Sequence, residues 1–154
     1  MISIIEAETT EDYQEAKKLI DKYVAFLGMD LEFQDFSEEM ESLKEMYGPP
    51  GGCMILAKED EKYIGCIGLR PLDDKFAELK RMYVDDNYRG QGIGDLLLSS
   101  FIKKSRDLGY EGIRLDTLPE LKTAFSLCKK YGFKEIEPYR YNPRNDALFM
   151  ELIF

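Results

Sequence analysis

Residues 89–94, Arg-Gly-Gln-Gly-Ile-Gly, set three glycines at the head of an apolar stretch with helical spacing, in which Ile93, Leu97, Phe101 and Leu108 share a side, Leu96 flanks them and Gly109 stops the run. Glycines let a ligand come close to the backbone, and the N–H groups and positive dipole end of a helix's first turn point outward. The chemistry such a segment offers is phosphate binding. Two common phosphate loops fail on spacing. A Gly-x4-Gly-Lys-Ser/Thr loop needs a lysine after Gly94, where Asp95 stands, and G-x-G-x-x-G counted from Gly90 also reaches Asp95 where its third glycine belongs. Histidine is absent, so proton transfer near neutral pH must use a carboxylate, a phenol, a thiol, a lysine or water, with the pKa moved by its surroundings.

The element that must position this loop is the strand-like run of residues 76–84. Ala77 and Leu79 are apolar at odd positions, Met82 and Val84 at even ones. A single extra residue, a β-bulge, produces that change of parity, and it leaves backbone groups without ladder partners that an extended ligand could satisfy. Asp85, Asp86 and Asn87 then make the turn into the loop.

Arg89, Gly92 and Gly94 fill the pattern R-x-x-G-x-G directly after a bulged strand ending in Tyr83 and Val84, with Glu-Leu-Lys-Arg-Met-Tyr-Val before it and Cys-Lys-Lys-Tyr-Gly-Phe after it. On these motifs the sequence resembles the GNAT superfamily of N-acetyltransferases over nearly its whole length. The resemblance implies an α/β fold whose mixed, mostly antiparallel seven-stranded sheet splays between its fourth and fifth strands, with about four helices. It implies acetyl-coenzyme A as co-substrate, no metal, and transfer of the acetyl group to a primary amine by direct attack in a ternary complex. Arg89, Gly90, Gln91, Gly92, Ile93 and Gly94 would hold the pyrophosphate, although Gly92 and Gly94 also suit helix packing. Backbone N–H groups around Met82, Tyr83 and Val84 would polarise the thioester carbonyl with the pantetheine alongside. Glu78 matches the glutamate that members use as base, directly or through water; the other reading is an ion pair with Lys80 or Arg81. Cys128 stands where the family's pattern has the tyrosine that protonates the leaving thiolate. It is either that acid or a small buried hydrophobe, and Tyr131, Tyr139 and Tyr141 are the substitutes. Phe33 and Phe36, in the segment that walls the acceptor site in the family, line that site or belong to the core. Tyr139 and Tyr141 reach the acceptor side from the loop at 138–146.

Composition bounds the rest. A chain of 154 residues is expected to form one domain, 1–154. It has no apolar run long enough for a membrane span and begins with no basic-then-apolar leader, so a cytoplasmic protein is expected. Three cysteines at no metal-like spacing predict neither disulfides nor structural zinc. A net charge of −9 argues against nucleic acid. Residues 1–75 hold 18 acidic against 8 basic side chains, so a small-molecule or peptide amine acceptor of cationic character is one reading and plain solvation the other. A homodimer stays open. A coenzyme A sensor or partner-binding module on the same fold, weak or inactive in catalysis, is the alternative function.

In order, residues 2–7 read as a strand. Thr9 and Asp12 cap a helix that ends at Gly28, and a second helix is capped near Ser37, its apolar stripe running from Phe33 and Phe36 through Met40 and Leu43 to Tyr47. Residues 53–58 and 63–70 read as a hairpin and 112–116 as a short strand. Residues 117–120 open a helix with Pro119 in its first turn, and 133–137 and 148–154 complete the sheet.

Overall fold

The structure, a computed structural model, describes residues 1–28 and 36–154. Among these residues are seven strands and five α-helices, in the order β1 (Ile2–Glu6), α1 (Thr10–Leu27), α2 (Phe36–Glu41), α3 (Leu43–Met46), β2 (Cys53–Glu59), β3 (Lys62–Pro71), β4 (Phe76–Val84), α4 (Ile93–Asp107), β5 (Gly112–Thr117), α5 (Lys122–Lys130), β6 (Lys134–Ile136) and β7 (Leu148–Ile153). The sheet order is β1-β2-β3-β4-β5-β7-β6, antiparallel throughout except for β4 and β5.

Both faces of the sheet are covered, which is why β2 is apolar over five successive residues rather than alternating. Met54 and Leu56 turn to one cluster with Tyr13, Ala16, Leu19 and Ile20 of α1 and Leu43 of α3. Ile55 and Ala57 turn to the other, with Ile93, Leu97, Leu98 and Phe101 of α4. The capping box at Thr9 forms as expected: the Asp12 N–H donates to Thr9 Oγ1 at 3.0 Å, the Thr9 N–H donates to Asp12 Oδ2 at 3.2 Å, and Gly28 ends α1 at φ 66°.

The sheet opens where the site is expected. β4 and β5 pair only at Phe76 with Gly112, Ala77 with Ile113 and Glu78 with Arg114. Beyond Glu78, β4 stays with β3 while β5 follows β7 through Thr117. The bulge is there too. The register steps from Gly68 opposite Lys80 to Cys66 opposite Tyr83, so Ile67 faces both Arg81 and Met82, and Arg81 takes a left-handed φ of 58°.

Two boundaries depart from the sequence reading. The expected second helix is broken at Ser42, whose backbone is not helical, giving α2 and α3 and, among the described residues, five helices rather than about four. The helix expected from 117–120 begins at Lys122, because β5 runs on to pair Thr117 with Leu148 and leaves Pro119 in the turn. Among the described residues no helix is long and apolar enough to cross a membrane.

Candidate active site

Between the parted strands lies a cavity of about 830 Å³, lined by residues 79–84 of β4, 115–117 of β5, the start of α4, Cys128 and its neighbours on α5, and Tyr23 and Phe26 of α1. Where β4 gives way to the glycine-rich turn, Asp85 accepts from the Asn87 N–H at 3.1 Å and is held by Lys22 at 3.0 Å, which fixes that turn. Gly90 and Gly92 both sit at φ 80°, and a Cβ on either would meet nothing within 4 Å, so the backbone there faces open space. The helix's own ladder starts with the Leu96 N–H on the Gly92 carbonyl at 3.2 Å. The N–H groups of Ile93, Gly94 and Asp95 precede it and point out of the helix. Gly94 has a further reason to be small: a Cβ there would lie 3.3 Å from Leu127, where α4 packs on α5. Arg89 braces the end of β4, with Nε donating to the Val84 carbonyl at 3.1 Å and a terminal nitrogen paired with Asp86 at 3.0 Å, so part of its charge is already matched.

The bulge is pinned from the opposite face. Arg81 donates through Nε and a terminal nitrogen to the two oxygens of Glu39, at 3.0 and 2.7 Å, and the Tyr47 hydroxyl donates to Glu39 at 2.7 Å. Glu39 and Tyr47 are fully buried. Burial pushes the Glu39 carboxyl up, but Arg81 and Tyr47 more than offset it and hold it below the usual range. Tyr47 fits because residue 68 is glycine; a Cβ there would come within 2.7 Å of the tyrosine ring. The Cys66 thiol closes the arrangement by donating to the Arg81 carbonyl at 3.2 Å. Sequence reasoning passed over Glu39, Tyr47 and Arg81 as parts of the site. The available signal was the run Glu78, Lys80, Arg81 in a central strand, where three charges need partners.

Glu78 is fully buried, with both oxygens occupied: Arg70 Nε donates to Oε1 at 3.2 Å, while the Tyr139 hydroxyl at 2.8 Å and the Arg140 guanidinium meet Oε2. The ion-pair partners are therefore Arg70 and Arg140, not Lys80 or Arg81 as the sequence suggested. Glu78 lines a second, smaller cavity of about 380 Å³ with Arg70, Arg140, Glu45 and Met46. Lys80 lines the larger one, where burial and the adjacent Arg81 lower its ammonium to about 8 against the opposing pull of Glu78 and Asp116.

The candidate acids are placed as follows. Cys128 is buried in the core and burial pushes its thiol up to about 12, well above the cysteine reference of about 8.5, so it holds its proton tightly and is a poor acid. Burial and the Glu78 charge raise the Tyr139 phenol, whose hydroxyl is committed to Glu78. Tyr131 donates to Asp95 at 3.2 Å, and Tyr141 is exposed. Phe36 lies under the Arg81 guanidinium, 5.5 Å from it, and packs on the α1 side of the core; Phe33 lies outside the described residues.

A family model described as the acetyltransferase (GNAT) family matches residues 5–133. An uncharacterized N-acetyltransferase of Schizosaccharomyces pombe is 37% identical over 98% of this chain and 94% of its own length. An acetyltransferase from Streptococcus agalactiae superposes with a TM-score of 0.81 at 26% identity, covering 99% of this chain and 98% of its own. A GNAT family acetyltransferase from Elizabethkingia anophelis, solved with acetyl-CoA bound, shares the fold at a TM-score of 0.62 and 22% identity over 99% of this chain and 98% of its own.

Proposed function

The chain belongs to the GNAT acetyltransferase family and is an N-acetyltransferase, and we propose that it moves an acetyl group from acetyl-coenzyme A, held in the opened sheet, to a primary amine by direct attack. The observation that carries this reading is the parting of β4 from β5 beyond Glu78, beside the first turn of α4. Acetyl-coenzyme A supplies the activated acyl group as a thioester. The free N–H groups of the α4 turn and the open backbone at Gly90 and Gly92 suit its diphosphate, and the cavity along residues 79–84 suits its pantetheine arm.

In this reading a main-chain N–H at the bulge, at Met82 or next to it, donates to the thioester carbonyl oxygen where charge develops, an effect worth on the order of a hundredfold in rate. An alkyl ammonium with a pKa of about 10.4 must lose a proton before it attacks. Glu78 takes that proton, directly or through water, once one of the partners on its oxygens gives way. The C–S bond breaks as the tetrahedral adduct collapses; no side chain is assigned as acid to the leaving thiolate, which departs ionised while the second proton of the nitrogen passes to water.

Release of free thiol from acetyl-coenzyme A, followed across a panel of amines, tests the reading. Glu78→Gln should lower turnover on the order of a hundredfold and flatten its pH profile, while coenzyme A binds as before. Turnover equal to the parent's would remove Glu78 from the chemistry. Absence of amine-dependent release with every amine, in a protein that still binds coenzyme A, would favour the sensor.

A further inference from the structure

Building on the transferase reading, we propose that the acceptor is an amine that also carries a carboxylate, seated by Arg70 and Arg140 beside Glu78. The overall charge of −9 suggests a cationic acceptor, but the charges gathered around Glu78 are the reverse. In the smaller cavity one fully buried carboxylate, Glu78, stands against two guanidinium groups, Arg70 and Arg140, whose side chains are only 19% and 22% exposed. Glu45 on the rim is exposed to solvent and does little to balance them. A half-buried excess of positive charge favours an anion.

The hydrogen bonds point the same way. Each guanidinium carries five N–H donors in a fixed fork, suited to gripping a carboxylate through two of them. Glu78 uses one nitrogen of Arg70 and one of Arg140, and Arg140 Nε is buried with no partner at all. An acceptor carboxylate gives that orphaned donor a partner with a small turn of the side chain.

This seating also resolves how an occupied Glu78 can act. As the acceptor's carboxylate draws Arg140 away from Oε2, its ammonium takes the vacated oxygen. One proton then passes from the ammonium nitrogen to Glu78, and the nitrogen keeps the electron pair with which it attacks the acetyl carbonyl. An amine without a carboxylate leaves Arg140 in place, and a polyamine adds charge of the wrong sign.

Matched pairs test this: L-amino acids against their C-terminal amides, with putrescine and spermidine alongside, scored by thiol release from acetyl-coenzyme A. The amine of an amide is the less basic, so ease of deprotonation alone favours the amide. The proposal expects the acid to win by at least tenfold in kcat/KM for the best side chain. Arg140→Gln should bring that ratio close to one and Arg140→Lys should keep part of it, with the thermal shift given by coenzyme A as the control for folding. Equal or better use of amides or polyamines, or a ratio that Arg140→Gln leaves unchanged, overturns the carboxylate assignment alone. If no amine is acetylated while coenzyme A still raises Tm, the transferase reading falls, and this inference with it.

Discussion

Replacing Gly92 with glutamate is expected to abolish the thermal shift that coenzyme A gives the parent protein. Two effects combine. Residue 92 sits at φ 80°, a conformation that costs a side chain roughly 1–3 kcal/mol, and it caps α4, where three N–H groups and the dipole favour a negative ligand. A carboxylate tethered there competes for those donors and repels a diphosphate. Together these effects correspond to a loss in affinity on the order of a hundredfold or more. Because a Cβ at this position meets nothing within 4 Å, the variant should still fold, the backbone strain lowering its Tm by only several degrees when no ligand is present. A full shift in the Gly92→Glu protein would show that the diphosphate lies elsewhere.

The second large effect is expected at Glu39, which no reacting group touches. Its ion pair with Arg81 holds a left-handed residue inside the bulge, next to the main-chain donor proposed above for the thioester carbonyl. Breaking a buried pair by removing one partner costs about 3–5 kcal/mol, because the other charge is stranded. In a chain of this size that lowers Tm by about 10 °C. Glu39→Gln should therefore lose stability and, assayed well below its Tm, lose kcat while KM for acetyl-coenzyme A changes little. Adding Arg81→Gly should return part of the lost stability, since glycine accepts a φ of 58° without strain and leaves no stranded charge. If Glu39→Gln matched the parent in both Tm and kcat, the pair would be incidental to the bulge.

What was legible in the sequence was what is written locally. The parity change between Leu79 and Met82 announced the bulge that the register now places at Arg81 and Met82, and glycine spacing announced the open turn before α4. The sheet's splay and its mostly antiparallel character came through the resemblance those motifs carried, whereas the order in which β7 enters between β5 and β6 did not. What stayed hidden depends on partners far apart in the chain. Glu39 reads as one more acid on a solvated helix until Arg81, 42 residues on, is brought under it. Glu78 could be chosen as the base from its place in the strand, but Arg70 and Arg140 converge on it only through the β3–β4 pairing and the loop after β6. The break at Ser42 was equally unreadable, because the apolar stripe from Phe36 to Tyr47 runs across it without interruption in spacing.

In the proposed complex, main-chain donors at the start of α4 grip a diphosphate while the opened edge of β4 receives its thioester arm. Backbone amide chemical shifts, followed by NMR as coenzyme A is titrated in, test it most directly. The largest changes should fall on residues 90–95 and 82–84, with residues 2–6 of β1 hardly moved. Changes concentrated away from both stretches, with those amides unmoved at saturation, would contradict it.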